Sequence, residues 1–134
     1  MNLSTWSPRL LSLLRIMSAL LFLEHGTSKL LGVPPVAMHA AGQPPSQLMA
    51  LLGQSSGYIE LIGGFLLVLG LFTRFSAFIL SGEMAVAYFT VHAPNGFFPL
   101  LNKGELAAVY CFVFLYLAVA GGGPWSLDRL RHRG

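Results

Sequence analysis

Four long apolar runs constrain what this chain can fold into. They cover residues 9–31, 55–72, 75–92 and 103–120, and each is about 17–23 residues long, close to the ~20 residues that a membrane-spanning helix needs. None of them carries the polar stripe that a helix on the surface of a soluble bundle requires. The sequence therefore predicts an all-α integral membrane four-helix bundle that forms a single domain over residues 1–134.

The low content of charged residues supports a location in lipid. The chain has 54% apolar and 10% charged residues, whereas soluble domains average about 25% charged residues. The first run contains Arg15 and Glu24 and is followed by three further runs. We therefore expect it to be a span rather than a cleaved signal peptide.

The basic residues predict the orientation of the bundle. Arg9, Arg74 and the arginines within residues 129–133 flank one side of the spans, whereas Lys29 and Lys103 flank the other side. The positive-inside rule then places the N- and C-termini in the cytoplasm. Orientation in the membrane accounts for the excess of basic residues, so we expect no nucleic acid as a partner. The apolar runs predict the lipid bilayer as a partner.

The connection over residues 32–54 is rich in proline and glycine and too polar to span a membrane. It could cover the outer mouth of the bundle or form a surface loop, and both interpretations stay open. Within it, Ser46 and the apolar residues of 48–52 predict a short interfacial helix.

Arg15 and Glu83 are the ionisable residues expected deepest on the cytoplasmic side. Counted at ~1.5 Å per residue, Arg15 lies about 9 Å and Glu83 about 12 Å from that side. Because either charge alone costs at least ~2.5–3.5 kcal/mol at such a depth, we predict that they form a structural ion pair. In the alternative, Arg15 extends to the interface and Glu83 is protonated.

A second group of ionisable residues falls in the outer half of the spans. We expect one ligand-binding site there, formed by His25, Lys29, Glu60 and His92, with Glu24, Lys103, Glu105 and Phe97 around it. Carboxylates, amines and imidazoles under an aromatic cover suit the binding of a polar head group and the exchange of protons. A static salt-bridge network is the alternative. Because these groups lie near water, we expect substitutions of His25 or Lys29 to leave stability near normal.

Glu105 has a second interpretation, because residues 102–105 are typical of a capping box that begins the fourth helix.

The sequence contains no built-in cofactor site. Cys111 is the single cysteine, which excludes an intrachain disulfide and a Cys-x-x-Cys redox pair. The Glu-x-x-His pairs of di-iron bundles are missing, so we expect no metal. His25 and His92 could face each other across a haem, but a lone imidazole per helix is more often a hydrogen-bonding group, and we expect no haem.

Several motifs occur in a fixed order along the chain. After Arg15 they read FLEHGTSKL at 22–30, ELIGG at 60–64, GLFTR at 70–74, VHAPNGFF at 91–98, NKGELA at 102–107 and WSLD at 125–128. Each motif is weak alone, but the ordered set is specific. The chain resembles the DoxX family of small four-helix membrane proteins over essentially its whole length.

The resemblance implies a multi-pass protein of the bacterial inner membrane that is linked to quinone or quinol chemistry and to thiol redox, often as an oxidoreductase subunit. Since the sequence has no redox centre of its own, electrons would come from a bound quinone or from a soluble or membrane oxidoreductase partner. Small-residue seams such as Ala77, Ser81 and Ala85 also suit a homodimer.

Three functions stay open. The leading hypothesis is a redox-associated subunit that binds a quinone-like head group in the outer site. The second is a scaffold that anchors a soluble oxidoreductase and has no ligand of its own. The third is a pathway for protons or a small solute, which the apolar residues 66–69 and 113–120 disfavour.

Overall fold

The computed structural model describes residues 3–35 and 46–131. These residues form an all-α structure without a strand, and its α-helices are α1 (Ser7–Leu31), α2 (Gln47–Leu69), α3 (Thr73–Ala87), α4 (Pro99–Asn102), α5 (Glu105–Ala120) and α6 (Leu127–Arg131). A 3-10 turn, Leu3–Thr5, precedes α1, while a π turn, Tyr88–His92, and a 3-10 turn, Ala93–Asn95, continue α3.

The long helices pack as a ring in which α1 contacts α2, α2 contacts α3, α3 contacts α5, and α5 contacts α1. The segments Leu3–Leu31, Gln47–Leu69 and Thr73–Asn95 are long and apolar enough to cross a membrane, and α5 is a shorter apolar helix of 16 residues. The predicted all-α membrane bundle is confirmed. The cytoplasmic location of its termini stays a prediction.

Aromatic rings fill the centre of the bundle. Phe22 of α1 packs edge-to-face against Tyr110 and Phe114 of α5, with ring centroids 5.1 and 4.9 Å apart. Large apolar side chains such as Phe112 and Val119 are exposed on the outside. This distribution suits a bundle whose outer surface faces lipid instead of water.

Two glycines bring α1 and α2 into close contact. A Cβ atom on Gly26 would lie only 2.8 Å from the backbone N of Leu61 and 3.1 Å from the carbonyl O of Gly57. A larger residue at position 26 would push the helices apart. This close crossing sets Lys29, one turn after Gly26, beside Glu60, one turn after Gly57.

Helix α2 begins at Gln47, eight residues before the predicted span. The side chain of Ser46 accepts a hydrogen bond from the Met49 N–H at 3.2 Å and caps the helix. The separate interfacial helix predicted at 48–52 is therefore wrong, because these residues are the first turns of α2. Glycine and serine at 53–57 weaken a helix without breaking it. Of the predicted cover over 32–54, residues 36–45 lie outside the described ranges.

Candidate functional site

Arg15 is completely buried, and within residues 3–35 and 46–131 its hydrogen bonds go to backbone carbonyls. Its Nε donates to Gly122 O at 2.9 Å, its Nη1 to Val68 O at 2.7 Å and also to Leu67 O, and its Nη2 to Trp125 O at 2.7 Å. Leu67 and Val68 belong to the last turn of α2, where carbonyls lack the i+4 N–H donor of a continuing helix, although Leu67 O also accepts from Gly70 N at 3.1 Å. The guanidinium thus caps the C-terminus of α2 and holds the segment after α5 in place.

The predicted ion pair between Arg15 and Glu83 is wrong. The donors of Arg15 are engaged by carbonyls, and neither carboxylate oxygen of Glu83 has a hydrogen-bond partner among the described residues. Helix α3 begins at Thr73, so Glu83 lies ten residues, or about 15 Å, from that end of the bundle. The partial negative charge of a helix C-terminus stabilises the buried guanidinium without a carboxylate.

Lys29, Ser56 and Glu60 form a hydrogen-bonded group at the contact between α1 and α2. The Nζ of Lys29 donates to Glu60 Oε1 at 2.5 Å and to Ser56 Oγ at 2.6 Å, and Ser56 Oγ lies 3.3 Å from the same carboxylate oxygen. Glu60 is only 1% exposed, and the Lys29 side chain is 20% exposed. The prediction that Lys29 and Glu60 lie side by side therefore agrees with the structure, whereas their role in ligand binding stays a prediction.

Glu83 of α3 faces this group from the other side. Its carboxylate lies within electrostatic range of Glu60 and Lys29 and also close to the Ser56 hydroxyl, which donates to Glu60 and makes no contact with Glu83 that meets hydrogen-bond geometry. Both oxygens of Glu83 and the second oxygen of Glu60 are buried, and within the described ranges they accept no hydrogen bond. We name Lys29, Ser56, Glu60 and Glu83 the carboxylate cluster. It contains two buried carboxylates and a single ammonium.

The two histidines predicted for the site, His25 and His92, lie away from the carboxylate cluster. The ring of His25 packs against Phe22 and Tyr110, with centroid distances of 6.0 and 6.2 Å, at the contact between α1 and α5. His92 Nδ1 lies 3.1 Å from Asn102 O in the connection between α3 and α5. In the part of the chain that the structure describes, no hydrogen bond joins either imidazole to the carboxylate cluster.

The remaining predicted site residues are at the surface. All four are exposed, and Phe97, at 86%, is the most exposed of the large apolar residues described; they are Glu24, Phe97, Lys103 and Glu105. The capping box predicted at 102–105 is not formed, because α5 has Gly104 at its N-cap position without a side-chain cap. Instead, buried Asn102 accepts from Gly104 N and donates to Gly96 O, each at 2.8 Å.

Asp128 caps the N-terminus of α3, a role that the sequence did not predict. Its two carboxylate oxygens accept from Phe72 N and Thr73 N, both at 2.8 Å, and so cap α3 from the far end of the chain. Burial alone would raise the pKa of Asp128, but the hydrogen bonds from Thr73 and Phe72 and the charge of Arg131 hold this pKa below its usual range. The only sequence signal was its place in the WSLD motif.

Acid is expected to weaken this cap. Because the pKa of Asp128 is lower in the folded chain than the ~3.9 of an unfolded aspartate, its charge contributes stability that is complete above about pH 4 and lost as pH falls through the folded pKa. Thermal unfolding of the native protein and of Asp128→Asn should therefore differ at pH 7 and converge as the pH falls through the folded pKa of Asp128. A difference that stays constant across this range would contradict the assignment.

The described residues contain no candidate metal site. Across 3–35 and 46–131 there is no group of three or more His, Cys, Asp or Glu side chains that could hold a metal ion.

Comparison with known proteins identifies the family of this chain. The model of the DoxX family matches residues 10–93. An uncharacterized protein of Haemophilus influenzae is 45% identical over 130 residues, which cover 95% of this chain and 94% of the relative. A second uncharacterized protein of that organism is 41% identical over 71 residues, 53% of this chain and 47% of the relative. No solved structure matches. The resemblance that the ordered motifs carried is thus confirmed, and this membrane protein belongs to the DoxX family.

Proposed function

We propose that this chain is a redox-associated protein of the bacterial inner membrane that binds a quinone-like head group at the carboxylate cluster. The observation that carries the proposal is the buried carboxylate of Glu83, whose two oxygens accept no hydrogen bond among the described residues, next to the Lys29–Glu60 pair. A bound molecule that offers hydroxyl groups would satisfy those oxygens.

The residues of the cluster fit both forms of such a head group. The ammonium of Lys29 has three N–H bonds and donates to Ser56 and Glu60, so one N–H is left for a carbonyl oxygen. The Glu83 carboxylate can accept from a hydroxyl. A quinone-like ligand carries carbonyls when oxidised and hydroxyls when reduced. It therefore needs a hydrogen-bond donor and an acceptor side by side.

The two carboxylates have different roles in this proposal. Lys29, at 2.5 Å from Glu60 Oε1, holds the Glu60 carboxylate in place. In the described part of the chain Glu83 has no ammonium bonded to it, so its carboxylate is the one that accepts from a hydroxyl of the ligand and takes up the proton when that hydroxyl is oxidised. When bound, a quinone supplies the two-electron, two-proton chemistry, and a soluble or membrane oxidoreductase would be the electron partner.

The packing beyond the cluster disfavours a pathway through the bundle. Most of the fully buried side chains between the cluster and Arg15 are large and apolar, and they are Phe22, Leu67, Leu80, Phe114 and Leu117. The buried serines of this layer, Ser18 and Ser81, donate to the backbone carbonyls of Leu14 and Cys111. A proton or solute path would need a continuous row of polar groups or water, so this layer suits binding better than transport.

Replacing Glu83 by glutamine tests this function. The amide keeps the shape of the side chain and removes the acceptor pair and its charge, so binding of a short-chain quinol analogue should weaken more than about tenfold, the loss expected for one charge-assisted hydrogen bond. Binding is measured by titration of the solubilised protein and by mass spectrometry of retained lipophilic ligands.

Glu105→Gln is the matched control, because Glu105 is an exposed glutamate in the first turn of α5. It should leave quinol binding unchanged. Equal binding by the Glu83 and Glu105 variants would remove the proposed site. If no quinone or quinol analogue binds the unaltered protein, the quinone function is refuted and the scaffold hypothesis takes its place.

A further inference from the structure

A cleft at the Arg15 end of the bundle is lined by arginines that take no part in the carboxylate cluster. Its walls are Phe72–Phe75, Ala120–Gly123, Ser126 and α6 residues, and the three arginines among them are Arg74, Arg129 and Arg131. We name it the arginine cleft. We propose that it binds the phosphate of an anionic phospholipid, with the acyl chains along α3.

The charges of the cleft favour an anion. Asp128 is the acidic residue of its lining, and its two oxygens accept from the N-terminal N–H groups of α3. Its one negative charge acts on Arg131 and stands against three guanidinium groups, so the lining keeps a net positive charge. Phosphate oxygens are the partners that guanidinium groups bind with paired, charge-assisted hydrogen bonds.

Two of the arginines are already held in position. Arg74 Nη1 donates to Val119 O and, at 3.3 Å, to Ala118 O in the last turn of α5, and its other nitrogens face Gly121. The guanidinium of Arg131 lies over the ring of Phe72, 4.7 Å from its centroid. Side chains that are fixed before binding lose less conformational freedom when a ligand arrives.

The surroundings of the cleft indicate a lipid instead of a soluble phosphate. Phe75 lines the cleft and is 70% exposed, and Phe78, one turn further along α3, is exposed as well. Together they form an apolar track that begins at the arginines. Trp6 and Trp125 are exposed at the same end of the bundle, where tryptophan marks the headgroup level of a membrane. A phosphate at the arginines would therefore have acyl chains beside the two phenylalanines.

The test measures which lipids the intact protein retains. The protein is reconstituted in nanodiscs with equal amounts of phosphatidylglycerol and phosphatidylcholine, extracted gently and analysed by native mass spectrometry. We expect phosphatidylglycerol to be enriched, and the enrichment to fall about fivefold in Arg129→Gln and again in the double variant with Arg131→Gln. Both residues are exposed, and thermal unfolding of each variant, followed by circular dichroism, checks that the fold is kept.

Arg9→Gln is the control, because Arg9 lies near the same end but contacts Trp6, with 5.3 Å between its guanidinium and the ring centroid, and does not line the cleft. Equal losses in the Arg9 and Arg129 variants would mean general surface charge and would overturn the site. So would a lack of enrichment in the unaltered protein. Displacement of the lipid by millimolar glycerol phosphate would assign the cleft to a soluble phosphate ester, and binding of an acidic peptide without lipid enrichment would assign it to a protein partner.

Discussion

Arg15→Met is expected to cost about 2–6 kcal/mol of stability, a large part of the ~5–15 kcal/mol that holds a small domain together. The substitution removes a donor from four backbone carbonyls, and two of them, Leu67 O and Gly122 O, keep a second donor from Gly70 N and Ser12 Oγ. Each of the other two, at Val68 and Trp125, costs about 1–3 kcal/mol when it is left without the guanidinium. Unfolding by sodium dodecyl sulfate, followed by circular dichroism, measures the loss. Arg15→Lys should recover part of it, since an ammonium can reach some of the same carbonyls.

A double variant separates this explanation from an ion pair. If Arg15 and Glu83 do not interact, the losses in Arg15→Met and Glu83→Gln should add within about 0.5 kcal/mol. An ion pair would instead make the double variant more stable than the sum of the single changes predicts. Such a rescue would contradict the assignment of the Arg15 donors to backbone carbonyls. We name the four carbonyls that accept from Arg15, at Leu67, Val68, Gly122 and Trp125, its carbonyl cage.

Lys29→Met is expected to cost about 3–5 kcal/mol, because it leaves the Glu60 carboxylate buried without its ammonium. Changing Glu60 to glutamine in the same chain removes the unpaired charge and should restore most of the loss. The four proteins form a double-mutant cycle whose coupling energy is read from the same unfolding measurements.

Lys103→Met is the matched control for this cycle, since Lys103 is an exposed lysine at the end of α4. Its removal should change stability by less than about 0.5 kcal/mol. If Lys29→Met were as mild as Lys103→Met, the ion pair would contribute nothing and the binding proposal would lose its positioned donor.

The fold class could be predicted because it depends on quantities that the sequence states directly. Run length and hydropathy identify helices that can cross a bilayer, and the ordered motifs identify the family. Helix limits were harder. The start of α2 at Gln47 depends on the single cap by Ser46, and its glycine and serine residues, which favour turns in water, pack against α1 at Gly57.

The site was predictable only in part, because depth is a one-dimensional measure. Lys29 and Glu60 lie at similar depths and also face each other, so they were grouped correctly. Arg15 and Glu83 were paired by depth alone, which ignores the direction in which each side chain points. Their real surroundings have no sequence signature, since backbone carbonyls belong to every residue type.

The expectation that a substitution of Lys29 leaves stability near normal also rested on depth alone. Closeness to water was inferred from position along the helix, whereas Gly26 brings α2 so close that Glu60 is sealed. Asp128 was not assigned a role for a related reason. Its partners are 55 and 56 residues earlier in the chain, and a cap formed at that distance cannot be recognised from local spacing.

The carbonyl cage of Arg15 links the beginning of biosynthesis to its end. The first span enters the membrane with this arginine, but two of its acceptors, Gly122 and Trp125, follow the last long helix. Until the ribosome has released that segment, the nascent bundle carries a guanidinium whose donors are only half satisfied. A chain interrupted after α3 would thus keep a buried guanidinium without the acceptors at Gly122 and Trp125, which is a costly polar defect inside the bilayer.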